Sequence, residues 1–533
     1  MLDWTTVRST ALAALVLVSP ALADAHSPSE EKLGTVNFPV TCTPAAQAEF
    51  VRGAAALHSF WFDTSRKAFT AAAASDSACG IAHWGVAMTA LGNPLAGPPP
   101  AGALRDGWAA VEKARAAGSK SQRERDYVEA IAVFYRDADK VEHRVRAQAY
   151  EKAMEALAAR YPDDREASIF YALSLNVTLD PSDKTYANQL KAATILEKVF
   201  AEQPNHPGVA HYLIHSYDFP PIAPRGLNAA RRYAAIAPSA PHALHMPSHI
   251  FTRLGYWQES VDTNRASAEA ATDHGNWLHA VDYMIYGNLQ LAKDDDAQRA
   301  VKAVQALGMP NSEYIGSAYA LAAVPARYAL ERQQWGEAAT LGLQPAEFPW
   351  SRWPMAEAVN AYARGLGAAR GGDAAGGRRE ADRLAVLRDT MAKTQRGYWA
   401  DQAEIQRQAV LAWTMRAEGK HAEALTLMQA AVTLEDKSEK HPVTPGPIVP
   451  ARELLGEMLL EMNQPAQALS VFEASMRVEP NRFHGLAGAA RAAELAGDRE
   501  RARRYYSDLL ALAKDADTER PEIKRARAFV GTR

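Results

Sequence analysis

Cysteine is nearly absent: the 533-residue chain has two, Cys42 and Cys79. Its 59 lysines and arginines are balanced by 62 aspartates and glutamates, well mixed, so there is no basic footprint for nucleic acid and no acidic tail. Beyond the N-terminus no apolar run approaches the ~20 residues that span a bilayer, which excludes a membrane span in the body of the chain. The glycine-rich run from Arg370 to Gly377 (RGGDAAGG) has no Lys-Ser/Thr after it and reads as a loose turn rather than a phosphate loop. Strand patterns are scarce too. What fills the chain is alanine with leucine at helical spacing, which suits tightly packed helix pairs.

At the N-terminus Arg8 precedes the apolar run Ala11 to Val18, and the small-residue signal Ala21-Leu22-Ala23 follows. Residues 1–23 are therefore expected to be a secretory signal peptide cleaved after Ala23, leaving a soluble periplasmic or secreted protein. In an oxidising compartment Cys42 and Cys79 are expected to pair, with two buried thiols as the alternative. The bond would close a loop of about 37 residues and contribute on the order of 3 to 4 kcal/mol. Neither cysteine is a good catalytic candidate, because paired cysteines of secreted chains are usually staples.

A repeating pattern organises the rest. Residues 449–482 place Gly456, Asn463, Ala468, Phe472, Ser475 and Pro480 in the order small residue, turn, small residue, large apolar residue, small residue and closing proline. The following unit offers Ala490, Gly497, Ala502 and Tyr506 in the same register, and an earlier one Gly419, Ala424, Met428 and Ala431. Pro204 and Pro238 lie 34 residues apart, and Gly255, Trp257, Ser260 and Ser267 repeat the motif between His242 and His274. Gly53, Ser65, Phe69 and Ala72 fit a degenerate unit near the N-terminus, and Trp335 with Ala338 mark another.

On these residues the chain resembles the tetratricopeptide repeat (TPR) superfamily, whose helix-turn-helix units stack into a solenoid. The resemblance implies an all-α fold and covers most of the mature chain, strongest at the C-terminal end. It implies an N-terminal arm over 24–46, degenerate helical repeats over 47–186, central units over 187–300, C-terminal units over 301–514 and a tail over 515–533. Two proline-rich stretches, Pro94 to Pro100 and Pro442 to Pro450, are expected to be surface loops or breaks in the array.

Histidine distinguishes this array from an ordinary one. His211, His245 and His279 recur every 34 residues, and His215 and His249 follow the first two by four. Eight of the fifteen histidines lie between His206 and His279, far more than an even spread would put there. In TPR proteins the corresponding positions line the concave groove that holds ligands, so the resemblance implies an imidazole-lined groove. Residues at i and i+4 share a helix face about 5 to 6 Å apart, and neighbouring helices pack roughly 8 to 10 Å apart. Those spacings set His211, His215, His245 and His249 at the corners of a rectangle within imidazole reach of one ion held at ~2.0 to 2.1 Å. His242 and His279 flank it as replacement corners, ligands of a second ion or proton shuttles. For His206, beside Pro207 at a repeat boundary, a structural role is the expectation.

An all-histidine set suits zinc, copper or iron, with Met246 leaning weakly to copper. The segment His211-Tyr212-Leu213-Ile214-His215 has no glutamate, so it is not a zinc-protease motif. Asp218 is the favoured carboxylate, as a base or as an outer partner of a ligating histidine, ahead of Asp282 and Glu259. Arg253, Tyr283 and Tyr286 are expected to line the groove, Arg253 for an anionic group and Tyr286 as a donor. Upstream, His58, Trp61 and Trp84 would close over the groove if the solenoid curls, the two tryptophans more as packing residues. Two functions stay open: a periplasmic or secreted metalloprotein or metalloenzyme with a small molecule or peptide in its concave groove, and a scaffold that captures a peptide or protein partner in the same groove. No reaction can be named from the sequence.

Overall fold

The computed structural model describes residues 31–311, 314–394 and 397–531. The expected signal peptide and its cleavage site after Ala23 lie outside the described residues. Among the described residues there are 26 α-helices, two short 3-10 turns and no strand. Successive helices pack as antiparallel pairs stacked into a TPR-type α-solenoid. No described helix is long and apolar enough to cross a membrane.

Local chemistry sets the helix boundaries. Ser121 caps Gln122–Tyr135 by accepting the Glu124 N–H, and Asp164 caps Arg165–Val177 through the Glu166 and Ala167 N–H groups. Prolines open Pro207–Tyr217, Pro241–His245 and Pro465–Val478, where a missing N–H costs no helical bond. The turn residues Gly255, Gly419, Asn463 and Gly497 all have left-handed backbones, which reverse the chain between paired helices. Pairing rests on a wedge: a Cβ on Gly456 or Gly488 would lie 2.6 or 2.3 Å from the Phe472 ring, and Gly53 and Gly85 face Phe69 in the same way. Only glycine lets these helices close on the aromatic ring.

The array curls back on itself at both ends. Cys42 and Cys79 are disulfide-bonded, Cα to Cα 5.2 Å, which ties the N-terminal arm to the first hairpins. The arm then runs on past them: the Thr35 N–H donates to the Asn205 carbonyl (3.0 Å) and the Lys32 N–H to Ser239 Oγ (2.9 Å). Trp84 packs among Phe38, Phe50, Tyr127 and Phe170 and is a core residue. At the other end, buried Arg482 donates to Glu453, Glu331 and the Tyr286 hydroxyl, and Trp257 Nε1 donates to the Asn481 carbonyl at 2.6 Å. C-terminal repeats are thereby clamped onto central ones.

Of the two expectations for Pro442 to Pro450, the break in the array is found, between the helices His421–Glu435 and Ala451–Glu461, and the surface loop is corrected. This stretch crosses the inside of the solenoid, with Val443, Thr444 and Ile448 buried. Arg327, itself paired with Asp282 (2.9 Å), donates to Thr444 Oγ1 and to the Gly446 and Pro447 carbonyls. A segment rich in proline and glycine has its own carbonyls to satisfy and few N–H groups, and a buried guanidinium supplies the donors.

Candidate metal centre

The histidines sit on consecutive first helices of the central pairs: Pro207–Tyr217, then Pro241–His245 continued by Pro247–Arg253, then His274–Gln290. Pro247 interrupts the second helix because it has no N–H to return to the preceding turn. His211, His215, His245, His249 and His279 are buried and His242 is half-buried. They gather as two triads rather than as one rectangle. His211, His215 and His242 form one and His245, His249 and His279 the other, each with ligand atoms within 4.8 Å of one another. The triads abut, with the His215 and His249 rings 5.6 Å apart and His242 and His245 5.8 Å apart. His242 and His279, which the spacing places on the flanks, each complete a triad.

The Nε2 atoms of His211, His215 and His242 converge in the first triad, and those of His245 and His249 in the second. His211 Nε2 lies 3.1 Å from that of His215 and 3.2 Å from that of His242, and the Nε2 atoms of His245 and His249 are 3.0 Å apart. Two nitrogens each ~2.0 to 2.1 Å from a shared ion and this far apart subtend roughly 95 to 105° at it, within the range of tetrahedral and octahedral coordination.

Proton placement sharpens the point. His211 Nδ1–H donates to the His58 carbonyl (2.6 Å), and His249 Nδ1–H to Asp218 Oδ2 (2.8 Å). His245 Nδ1–H donates to Asn264 Oδ1 (2.7 Å), whose orientation is fixed because its NH2 donates to the Ser260 carbonyl. Burial holds all six imidazoles below their ordinary pKa, His249 and His279 at about 3, so they are neutral at neutral pH. A neutral imidazole carries one proton, so His245 and His249 face each other with a bare lone pair on each Nε2. The Tyr283 hydroxyl, 3.3 Å from His249 Nε2, is nearer the Thr444 carbonyl (3.0 Å) and reaches only one of the two. Converging lone pairs with outer nitrogens tied to oxygen acceptors are the ligand arrangement of a bound cation.

A third cluster provides the contrast. His58 Nε2 and His206 Nε2 donate to the two oxygens of Glu166 (2.9 and 2.8 Å), while His58 Nδ1 accepts from Tyr212 and His206 Nδ1 from the Val209 N–H. Burial would raise Glu166, but the two histidines hold it down at about 2. Every nitrogen here has a matched partner, so this cluster is a satisfied structural network.

Asp218 lies outside the triads. Its Oδ2 takes His249 Nδ1–H and the Lys440 ammonium, and its Oδ1 takes Arg253 Nε at 2.9 Å. Burial alone would raise its pKa; Lys440 and Arg253 outweigh that and keep it ionised. With both oxygens engaged it has the geometry of an outer partner and not of a free base. Arg253 is spent on Asp218 and is not open to an anionic ligand. Tyr283 touches His249, whereas Tyr286 is directed away to Arg482, beneath the Arg327 guanidinium. Asp282 is committed to Arg327, and Glu259 is exposed. Met246 is buried in the apolar core.

Residues that spacing did not single out complete the arrangement. Asn264 occupies the place on the second helix where the repeat carries a large apolar residue, and a polar residue there was a readable signal. Phe60, with a left-handed backbone after the first helix, packs its ring against His211 and His242. Lys440 and Thr444 arrive from a loop more than two hundred residues downstream of Asp218, with nothing local to mark them.

No family model and no curated protein matches this chain. Several solved structures do. The Cut9–Hcn1 hetero-tetramer of the APC/C is 12% identical with a TM-score of 0.35, covering 90% of this chain and 76% of that one. A human IFIT1 dimer with PPP-AAAA is 12% identical with a TM-score of 0.36, covering 81% and 90%. A tetratricopeptide repeat protein from Parabacteroides merdae is 11% identical with a TM-score of 0.27, covering 66% and 100%. At these scores the likeness carries no argument about this chain.

Proposed function

We propose that this chain is an exported metalloprotein in which two adjacent histidine triads each hold a transition-metal ion inside a TPR solenoid. The observation that carries the reading is the pair His245 and His249, whose Nε2 atoms stand 3.0 Å apart while both Nδ1 protons are committed to Asn264 and Asp218. Nitrogen ligation favours zinc, copper or iron. Three protein ligands per ion leave a coordination position open, which is the pattern of catalytic rather than purely structural sites, and a metal so held supplies Lewis acidity or an activated water. Export is supported by the N-terminal segment and by a disulfide of the kind that oxidising compartments sustain.

The alternative, peptide capture in the concave groove, has less support at this position, because the chain's own segment around Thr444 already crosses it. Elemental analysis of purified untagged protein, beside the His211→Ala/His245→Ala double variant, is the test. Near-stoichiometric metal in the wild type that is lost in a variant of unchanged helical circular dichroism supports the reading. Absence of retained metal, with none taken up on reconstitution, would return the chain to the scaffold class.

A further inference from the structure

Beside the metal centre, across the wall formed by Asp218, Arg253 and Thr444, lies a cavity of about 580 Å³. That is a volume suited to a small organic ligand. One side is aromatic: Tyr319, Tyr398 and Trp399, with the Tyr319 and Trp399 rings 5.5 Å apart. The charges of its wall do not cancel pair by pair. Lys184 is bound to Glu439, Arg452 to Asp436, and Arg253 and Lys440 both to Asp218. Two carboxylates of the wall have no cation in contact; Arg253, Arg482 and Lys440 act on Glu479, and Arg452 on Glu435, only from a distance. Glu435 accepts only the Ala451 N–H (2.9 Å), and Glu479, 6% exposed, has no hydrogen-bond or ion-pair partner among the described residues.

A shielded carboxylate with no cation in contact is costly to keep ionised. Burial and the neighbouring Glu479 push the Glu435 carboxyl up to about 8 against the pull of Arg452, and burial raises Glu479 as well, so Glu435 holds its proton in the empty cavity and releases it to solvent when a cation binds. Each cation that lines the space already contacts a carboxylate, Arg253 and Lys440 sharing one, so an anionic ligand would have to compete for them.

We infer that this cavity binds an organic cation, an ammonium or guanidinium group on an apolar body, with the charged end on Glu435 and Glu479 and the body along Tyr319, Tyr398 and Trp399. The aromatic faces favour the same sign of charge. Nothing in this inference requires a metal, so it stands apart from the reading of the triads.

Calorimetric titration tests it with tyramine and agmatine as cationic probes, 4-ethylphenol as a neutral one and 3-(4-hydroxyphenyl)propionate as an anionic one. Each is run on metal-loaded and on chelator-stripped protein. Tyramine or agmatine is expected to bind at least tenfold more tightly than the neutral and anionic compounds, in both metal states, and to weaken at least tenfold in Glu479→Gln and in Glu435→Gln. Glu479→Gln should keep the wild-type helical circular dichroism and a cooperative melt, so that lost binding is not lost fold. A lysine-containing tripeptide with blocked termini separates the sources: binding tighter than tyramine assigns a peptide side chain, and weaker binding a free amine. Equal binding of tyramine and 4-ethylphenol, preference for the anion, no binding of either cation, or undiminished binding in Glu479→Gln would overturn the inference.

Discussion

Each imidazole offers two nitrogens, and what the outer one touches decides what the inner one can present. Asn264 fixes His245 with its lone pair inward. Asn264→Ala is therefore expected to weaken metal binding at that triad about 10- to 100-fold, read by competition with a calibrated chelator, and to cost about 1–3 kcal/mol of stability because the buried His245 Nδ1–H loses its acceptor. Asp218→Asn should behave differently, costing about 3–5 kcal/mol in chemical denaturation because Arg253 and Lys440 would be left buried without their counter-charge. Glu166→Gln is the control. It removes an acceptor that His58 and His206 share and should cost about 1–3 kcal/mol while leaving metal content unchanged. The i, i+4 histidine pairs were legible from spacing alone. Their grouping was not, because spacing fixes separations along a helix but not the stagger between helices that brings His242 to His211.

At the scale of elements, the small-against-aromatic register of the repeat is the part that sequence described best. Gly456 and Phe472, read from their order in the repeat, are in contact across their helix pair. Gly488→Ala would drive a methyl group to 2.3 Å from the Phe472 ring and is expected to destabilise the protein by about 1–3 kcal/mol in urea denaturation. The segment from Pro442 to Pro450 was misplaced for an equally physical reason. A stretch without periodicity gives no indication of which face it covers, and its burial depends on Arg327, 117 residues away at Thr444.

For the whole molecule, the buried histidines make stability depend on pH when metal is removed. His249 and His279 have folded values near 3 against an ordinary 6.5, so between these limits the unfolded chain binds more protons than the folded one. Chelator-stripped protein should therefore be most stable above about 6.5 and lose stability continuously as pH falls towards 3, each histidine contributing on the order of 1 kcal/mol per unit. Melting temperatures at pH 7.5, 6.5 and 5.5, with and without metal, check this. A stability independent of pH across that range would mean that the histidines are not held neutral in the fold. The solenoid class was legible because it repeats; the curl that carries Lys440 to Asp218 was not, because it sums small rotations over many helix pairs.

That long return has a consequence for the order in which the protein matures. A chain made from its N-terminus presents all six histidines well before residues 440 to 444 exist to cover them. The centre is open to an incoming ion early and enclosed late. Metal offered during refolding should accordingly be taken up faster than metal offered to folded, stripped protein, where entry must wait for the C-terminal repeats to part from the central ones.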